Sequence, residues 1–278
     1  MFEKTFWGWP EFKVEIARMI STQERYFKTI LPLLKKADEI VAKILNRPLS
    51  YVGKRPQDFV VASLVTRCFR LSIVALHSAL GGYPDTVSVL LRPSYEIGLR
   101  LLQIEKDPIP ASLGYLLGGI KEEIRIAESW FKHLRDSRQP TGNLEHNIEN
   151  LKAYVKTIHK ELENHGYSPD EVEKKYGKLK PKQVTKEFGI EDHFYDVSFG
   201  FMSGYVHERG FALDNYYRDI PGRRVYHVGP IIKNPGAVID IFLDLFKNLH
   251  IAAKILGELE LSEQALKAHM KVSKTFPI

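Results

Sequence analysis

Two long apolar segments, Pro56 to Leu80 and Pro84 to Gln103, are joined by only three residues, Gly81 to Tyr83. A connection that short makes two helices turn back on one another, so an antiparallel helical hairpin is expected. Gly81 and Gly82 end the first helix. Pro84 suits the first turn of the second, where the N–H it lacks would have had no intrahelical partner. Pro93 is expected to kink the second helix, and Gly98 to admit a close neighbour.

Helical spacing recurs along the rest of the chain. Between Glu11 and Leu45, Phe12, Ile16, Met19, Phe27, Ile30, Leu34, Ile40 and Ile44 predict one bent helix or two, divided at Pro32 and stopped by Asn46, Arg47 and Pro48. Further helices are predicted over Ser112 to Leu134, Asn143 to Leu162, Glu191 to His207, Pro235 to Leu256 and Ser262 to Val272, with Asp107, Pro108 and Pro110 closing the element before the first of them. Ser262, Glu263 and Gln264 suit the first turn of the last. Val225 to Val228 reads as a short strand or an ordered loop. No repeat of fixed period appears. The expected fold is all-α, a multi-helix bundle with antiparallel hairpins and an irregular insertion at Ser168 to Ile190. Residues 1–50 are expected to form an amino-terminal helical arm on a main bundle of residues 51–278, or one continuous domain with it.

With 44% hydrophobic and 27% charged residues the chain has the make-up of a packed globular protein, which excludes global disorder. Its net charge of +6 favours an anionic partner if the surplus gathers on one face. Lys174, Lys175, Lys178, Lys180, Lys182 and Lys186 crowd one polar stretch, read first as a solvated surface connection and second as a contact for RNA or another polyanion. The single cysteine, Cys68, has no intrachain disulfide partner and falls in an apolar run, so a buried structural thiol is expected. No secretory leader is recognisable at the amino terminus. The apolar segment Ala237 to Leu256 is broken by Asp240, Asp244, Lys247, Asn248 and Lys254, read as the wet face of a soluble helix. No membrane contact is therefore expected, and a cytoplasmic location is.

Polar residues that could carry chemistry fall in two places. Arg92, Glu96 and Arg100 follow at intervals of four on one predicted helix, so they can pair along one face or line a polar cleft between helices. Asp196, Gly200, Ser203 and His207 share a face of another, with Tyr205 and Arg209 beside them. Asp196 lies about 16 Å from His207 along a helix, too far for a Ser/His/Asp triad. The carboxylate that orients His207 must come from elsewhere, Glu96 by preference, with Asp192, Asp196 in another geometry and Glu208 as alternatives. His207, near a helix carboxyl end at Gly210, serves either as a cap or as an acid, base or anion-binding group.

Leu90-Leu91-Arg92-Pro93-Ser94-Tyr95-Glu96 after the hairpin, with the distal Tyr195, Ser203 and Tyr205-Val206-His207, resembles an uncharacterised family of helical bacterial and archaeal proteins whose domain is of unknown function. The resemblance spans about residues 55 to 215 and implies a helical fold with a polar centre. A more distant likeness is to HEPN-type helical domains, many of them ribonucleases marked by Arg, four to six residues, then His. Arg70 and His77 meet that spacing, although Leu71 stands where a polar residue often follows the arginine. They are read as core-edge or interface residues, or as a nuclease pair.

The histidines form no compact zinc pattern, the cysteine has no thiol partner, and no glycine-rich phosphate loop ends in Gly-Lys-Ser/Thr. No metal and no cofactor are expected. Arg209, Arg218, Arg223 and Arg224 could still gather around a phosphate if the fold brings them together. The sequence thus supports a helical ligand- or partner-binding protein with a polar interhelical site formed by Arg92, Glu96, His207, Ser203, Tyr205 and Arg209. The alternative is a metal-independent RNA phosphodiesterase using histidine acid/base chemistry. The expected partner is an anionic ligand or RNA, or else a protein, including a second copy of the chain.

Overall fold

The computed structural model describes residues 30–46, 49, 52–190, 217–220, 223–226 and 236–275. The fold is an all-α multi-helix bundle. A helix over residues 30–45 (α1) is followed by the hairpin of α2 (Pro56–Leu80) and α3 (Pro84–Lys106). Then come α4 (Pro108–Asp136), α5 (Leu144–Asn164), the single turn α6 (Pro169–Val172) running into a π-helical turn at Glu173–Gly177, and α7 (Pro181–Glu187). An antiparallel pair, β1 (Tyr217–Ile220) and β2 (Arg223–Tyr226), precedes α8 (Gly236–Leu256) and α9 (Leu259–Thr275).

The central hairpin forms as its sequence requires. Gly81 N–H closes the last turn of α2 on the His77 carbonyl at 2.9 Å, Tyr83 N–H reaches Ser78 O at 2.9 Å, and α3 begins at Pro84. The helix α3 continues through Pro93. The carbonyl left without that donor belongs to Val89, an exposed residue, where water can satisfy it.

The elements differ from expectation in several places. The helix α3 runs on to Lys106, and the cluster of Asp107, Pro108 and Pro110 opens α4 as well as closing α3, because prolines in a first turn forfeit no helical donor. The terminal helix α9 starts at Leu259, and Ser262 is bonded to His250 Nδ1 at 2.8 Å. The insertion at Ser168 to Ile190 is mostly helical, in short pieces. Residues 11–29 and 191–207, both expected to be largely helical, lie outside the described residues.

The bundle is organised around α8, which packs against α2, α3 and α9. Phe242, Phe246, Leu249 and Ala253 of α8 are buried with Val61, Leu64, Val65 and Cys68 of α2 and Ile97, Leu101 and Ile104 of α3. Ile30, Ala37, Ile40 and Ile44 of α1 belong to the same cluster, and Lys36 Nζ donates to Gln264 Oε1 of α9 at 2.8 Å. The helix α4 packs against both α5 and the π-helical turn. Among the described residues α2, rather than α8, is long and apolar enough to cross a membrane, and half of its apolar stretch is buried in the bundle.

Candidate functional site

Where α2, α3 and α8 meet, the core contains a polar seam. Asn248 of α8 is 1% exposed. Its Nδ2 donates to Asp244 Oδ2 at 3.2 Å, to Ser94 O at 3.3 Å and towards Cys68 Sγ at 3.4 Å. The Ser94 hydroxyl donates to Asp244, and Ser72 Oγ to Cys68 O at 3.0 Å. Gly98 makes the approach of α8 feasible, since a Cβ there would stand 2.7 Å from Asn248 Oδ1. The expected wet face of α8 is thereby corrected: Asp240, Lys247 and Lys254 are exposed, but Asp244 and Asn248 turn inward to meet Ser94.

Burial sets the protonation of this seam. The Asp244 carboxyl is pushed up from 3.8 to about 6, chiefly because the interior disfavours its charge, against the pull of the Ser94 hydroxyl and Lys247. Cys68 is a free, buried thiol pushed up to about 12 by burial and then by Asp244. It is a structural group, far from the thiolate form a nucleophile needs.

Arg92 and Glu96 form an ion pair at 3.6 Å, with their side chains 24% and 38% exposed. Arg100 does not continue that stripe. Eight residues further on it is turned roughly 80° about the helix axis, which carries it inward. At 6% exposure it donates to Tyr176 O at 2.6 Å and Gln103 Oε1 at 3.0 Å, and it lies over the Tyr115 ring. Burial lowers its pKa to about 10. Its work is to hold the π-helical turn against α3. Ser203, Tyr205, His207 and Arg209, with Asp192, Asp196 and Glu208, lie outside the described residues. Arg218 is on β1 and Arg223 and Arg224 on β2.

Arg70 and His77 are both exposed on α2. Arg70 also lines an open groove of about 470 Å³ between α2 and α3, with Ser63, Thr66, Arg67, Leu71, Val74 and Leu90. Neither Arg67 nor Arg70 has a carboxylate partner among the described residues. Leu71, Val74 and Leu90 supply its apolar wall. This groove was not legible in the sequence, because the proximity of Leu90 to Arg67 and Arg70 depends on how α3 folds back.

The model of a family of unknown function, DUF5677, matches residues 58–221. The chain belongs to DUF5677. No curated protein and no solved structure matches it. The DUF5677 match takes in every residue of the groove and the Arg92–Glu96 pair, and agrees in extent with the resemblance read from Leu90 to His207. It stops short of α8, so Asp244 and Asn248 complete the seam from beyond the matched region. Among the described residues no group of three or more His, Cys, Asp or Glu side chains is placed to hold a metal ion.

Proposed function

We propose that this DUF5677 protein is a binding protein for a small anionic ligand, seated in the groove between α2 and α3. The observation that carries the reading is a pair of exposed arginines, Arg67 and Arg70, beside an apolar wall and without carboxylate partners among the described residues. Guanidinium groups bind phosphate or carboxylate through paired donors, and a groove of about 470 Å³ falls in the size range of small-molecule sites. Ser63 and Thr66 donate their hydroxyl protons to Phe59 O and Ala62 O, which leaves oxygen lone pairs for a ligand donor. A cytoplasmic setting accords with a lone, unpaired thiol. Titration calorimetry with nucleoside monophosphates and inorganic phosphate tests the proposal. Arg67→Gln and Arg70→Gln should each weaken binding about tenfold or more, the equivalent of one charge-assisted hydrogen bond. Binding that survives the double substitution would defeat it.

A metal-independent RNA phosphodiesterase is the second reading, favoured by Arg70 and His77 standing exposed on one helix with the Arg-to-His spacing of HEPN-type domains. The separation along α2 is about 10 Å, which suits contacts to neighbouring parts of a strand better than to one atom. In this reading a histidine moves the proton of the 2′-hydroxyl and an arginine steadies the phosphate charge. Cleavage of mixed RNA in the presence of a chelator, leaving cyclic-phosphate ends, is the expected result. Loss on Arg70→Ala and His77→Ala would place the chemistry on α2, and loss on Arg92→Ala and His207→Ala at the other centre; an absence of cleavage would refute it.

A further inference from the structure

The lysine-rich stretch is a folded platform. Arg100 anchors the π-helical turn through Tyr176 O, and the Tyr176 hydroxyl donates to Asp107. A Cβ on Gly118 of α4 would lie 2.1 Å from Gly177 O, so the turn sits directly on the α4 backbone. Val184 and Thr185 of α7 are buried, and Leu179, Phe188 and Ile190 pack with Tyr95 and Leu99 of α3. The lysines therefore ride on a rigid support.

Several carboxylates beside this platform are already engaged. Asp107 binds Lys175, Glu187 binds Lys106, Glu173 binds Lys121 and Glu122 binds Arg125. Lys174, Lys180, Lys182 and Lys186 stand exposed with no ion pair among the described residues, and Lys178, also exposed, lies near enough to Glu122 to help Arg125 hold that carboxyl below the usual range. Lys180, Lys182 and Lys186 line one open groove with Pro181 and Gln183. Lys182 and Lys186 are four apart on α7, a like-charge spacing that opposes helix formation in the absence of an anion.

We infer that this surface is a docking track for a nucleic-acid backbone, of which single-stranded RNA is the form to test. It lies apart from the α2–α3 groove and goes beyond the small-ligand reading. Lysine ammoniums act as point charges with rotatable donors, suited to phosphates whatever the base sequence. A membrane surface fits less well. None of the exposed large hydrophobic residues falls between 173 and 190, and the apolar face of α7 is spent on the core, whereas interfacial helices insert such a face among lipids.

The test is fluorescence anisotropy of a labelled, mixed-sequence single-stranded RNA across a salt series. It compares the full chain with the triple variant Lys180→Gln/Lys182→Gln/Lys186→Gln. A charge-matched control carries Lys132→Gln/Lys156→Gln/Lys160→Gln on α4 and α5, and a third variant carries Arg67→Gln/Arg70→Gln. Each phosphate contact on a single strand contributes about 0.7 to the slope of log affinity against log salt, so the α7 triple should flatten that slope by about 2. The control should retain the parent slope, and circular dichroism should report unchanged helicity in all variants. No RNA binding by the parent, or equal losses in the α7 triple and the control, would overturn the inference. Loss confined to the Arg67/Arg70 variant would place the strand in the α2–α3 groove and overturn it too. So would lysine-dependent binding to phosphatidylserine vesicles in place of RNA.

Discussion

Replacing Gly98 by alanine should destabilise this protein, although the same change in a free helix would favour the helix by about 1 kcal/mol. The new Cβ would stand 2.7 Å from Asn248 Oδ1, inside any ordinary contact. Asn248 cannot swing into solvent, being 1% exposed, and retreat would stretch its bonds to Asp244, Ser94 and Cys68. Overpacking of this kind costs about 1–3 kcal/mol, and each loosened hydrogen bond about 0.5–1.5 kcal/mol. Set against the helix gain, the net loss should be about 1–2 kcal/mol. In an Asn248→Ala background the obstacle is gone, and Gly98→Ala should instead stabilise by up to about 1 kcal/mol. The coupling between the two positions is then about 2–3 kcal/mol. Urea unfolding of the parent, both single variants and the double variant, followed by circular dichroism, measures it. Additive effects, agreeing within about 0.5 kcal/mol, would show that Asn248 does not limit the space at Gly98 and would refute the argument.

The Asp244 carboxyl has a higher pKa folded than its unfolded value of 3.8, so it stabilises the fold when protonated and loses that contribution as pH rises through about 6. Asp244→Asn should accordingly gain on the parent by up to about 3 kcal/mol between urea titrations run below the unfolded value of 3.8 and well above the folded value of about 6, and a gap independent of pH would contradict the assignment. Cys68, buried and pushed up to about 12, should resist iodoacetamide at mildly alkaline pH in the native protein and react fully once denaturant is added; rapid native labelling would show the thiol to be accessible. Arg100→Met leaves the Tyr176 carbonyl without its charged donor and should cost about 1–3 kcal/mol, with hydrogen exchange accelerated first in residues 173–187. Unchanged exchange there would mean that Arg100 does not hold the π-helical turn.

The central hairpin was legible because its signals are local: helical spacing, a stop at Gly81 and Gly82, and Pro84 in a position where proline costs nothing. The prolines at 108 and 110 were harder to place, because the same residues serve as the end of α3 and the first turn of α4. The polar centre was legible only in part. Arg92 and Glu96 pair as their spacing allows, and Gly98 admits a neighbour, but that neighbour is Asn248, from a helix 150 residues away in the chain. The stripe of Asp244 and Asn248 looked wet because polar residues at helical intervals usually face solvent.

What the sequence by itself determined is the set of long helices among the described residues and the cysteine's burial, since both follow from the spacing and apolar setting of residues near one another. Tertiary structure decided which polar residues turn inward. Whether Asp244 faces water or Ser94, whether Arg100 joins the Arg92 stripe or clamps the π-helical turn, and whether Arg67 borders a groove each depend on what another element places opposite. Desolvation and hydrogen bonding act through space, and the residues that meet at this seam come from the α2–α3 hairpin and from α8, far from it in the chain.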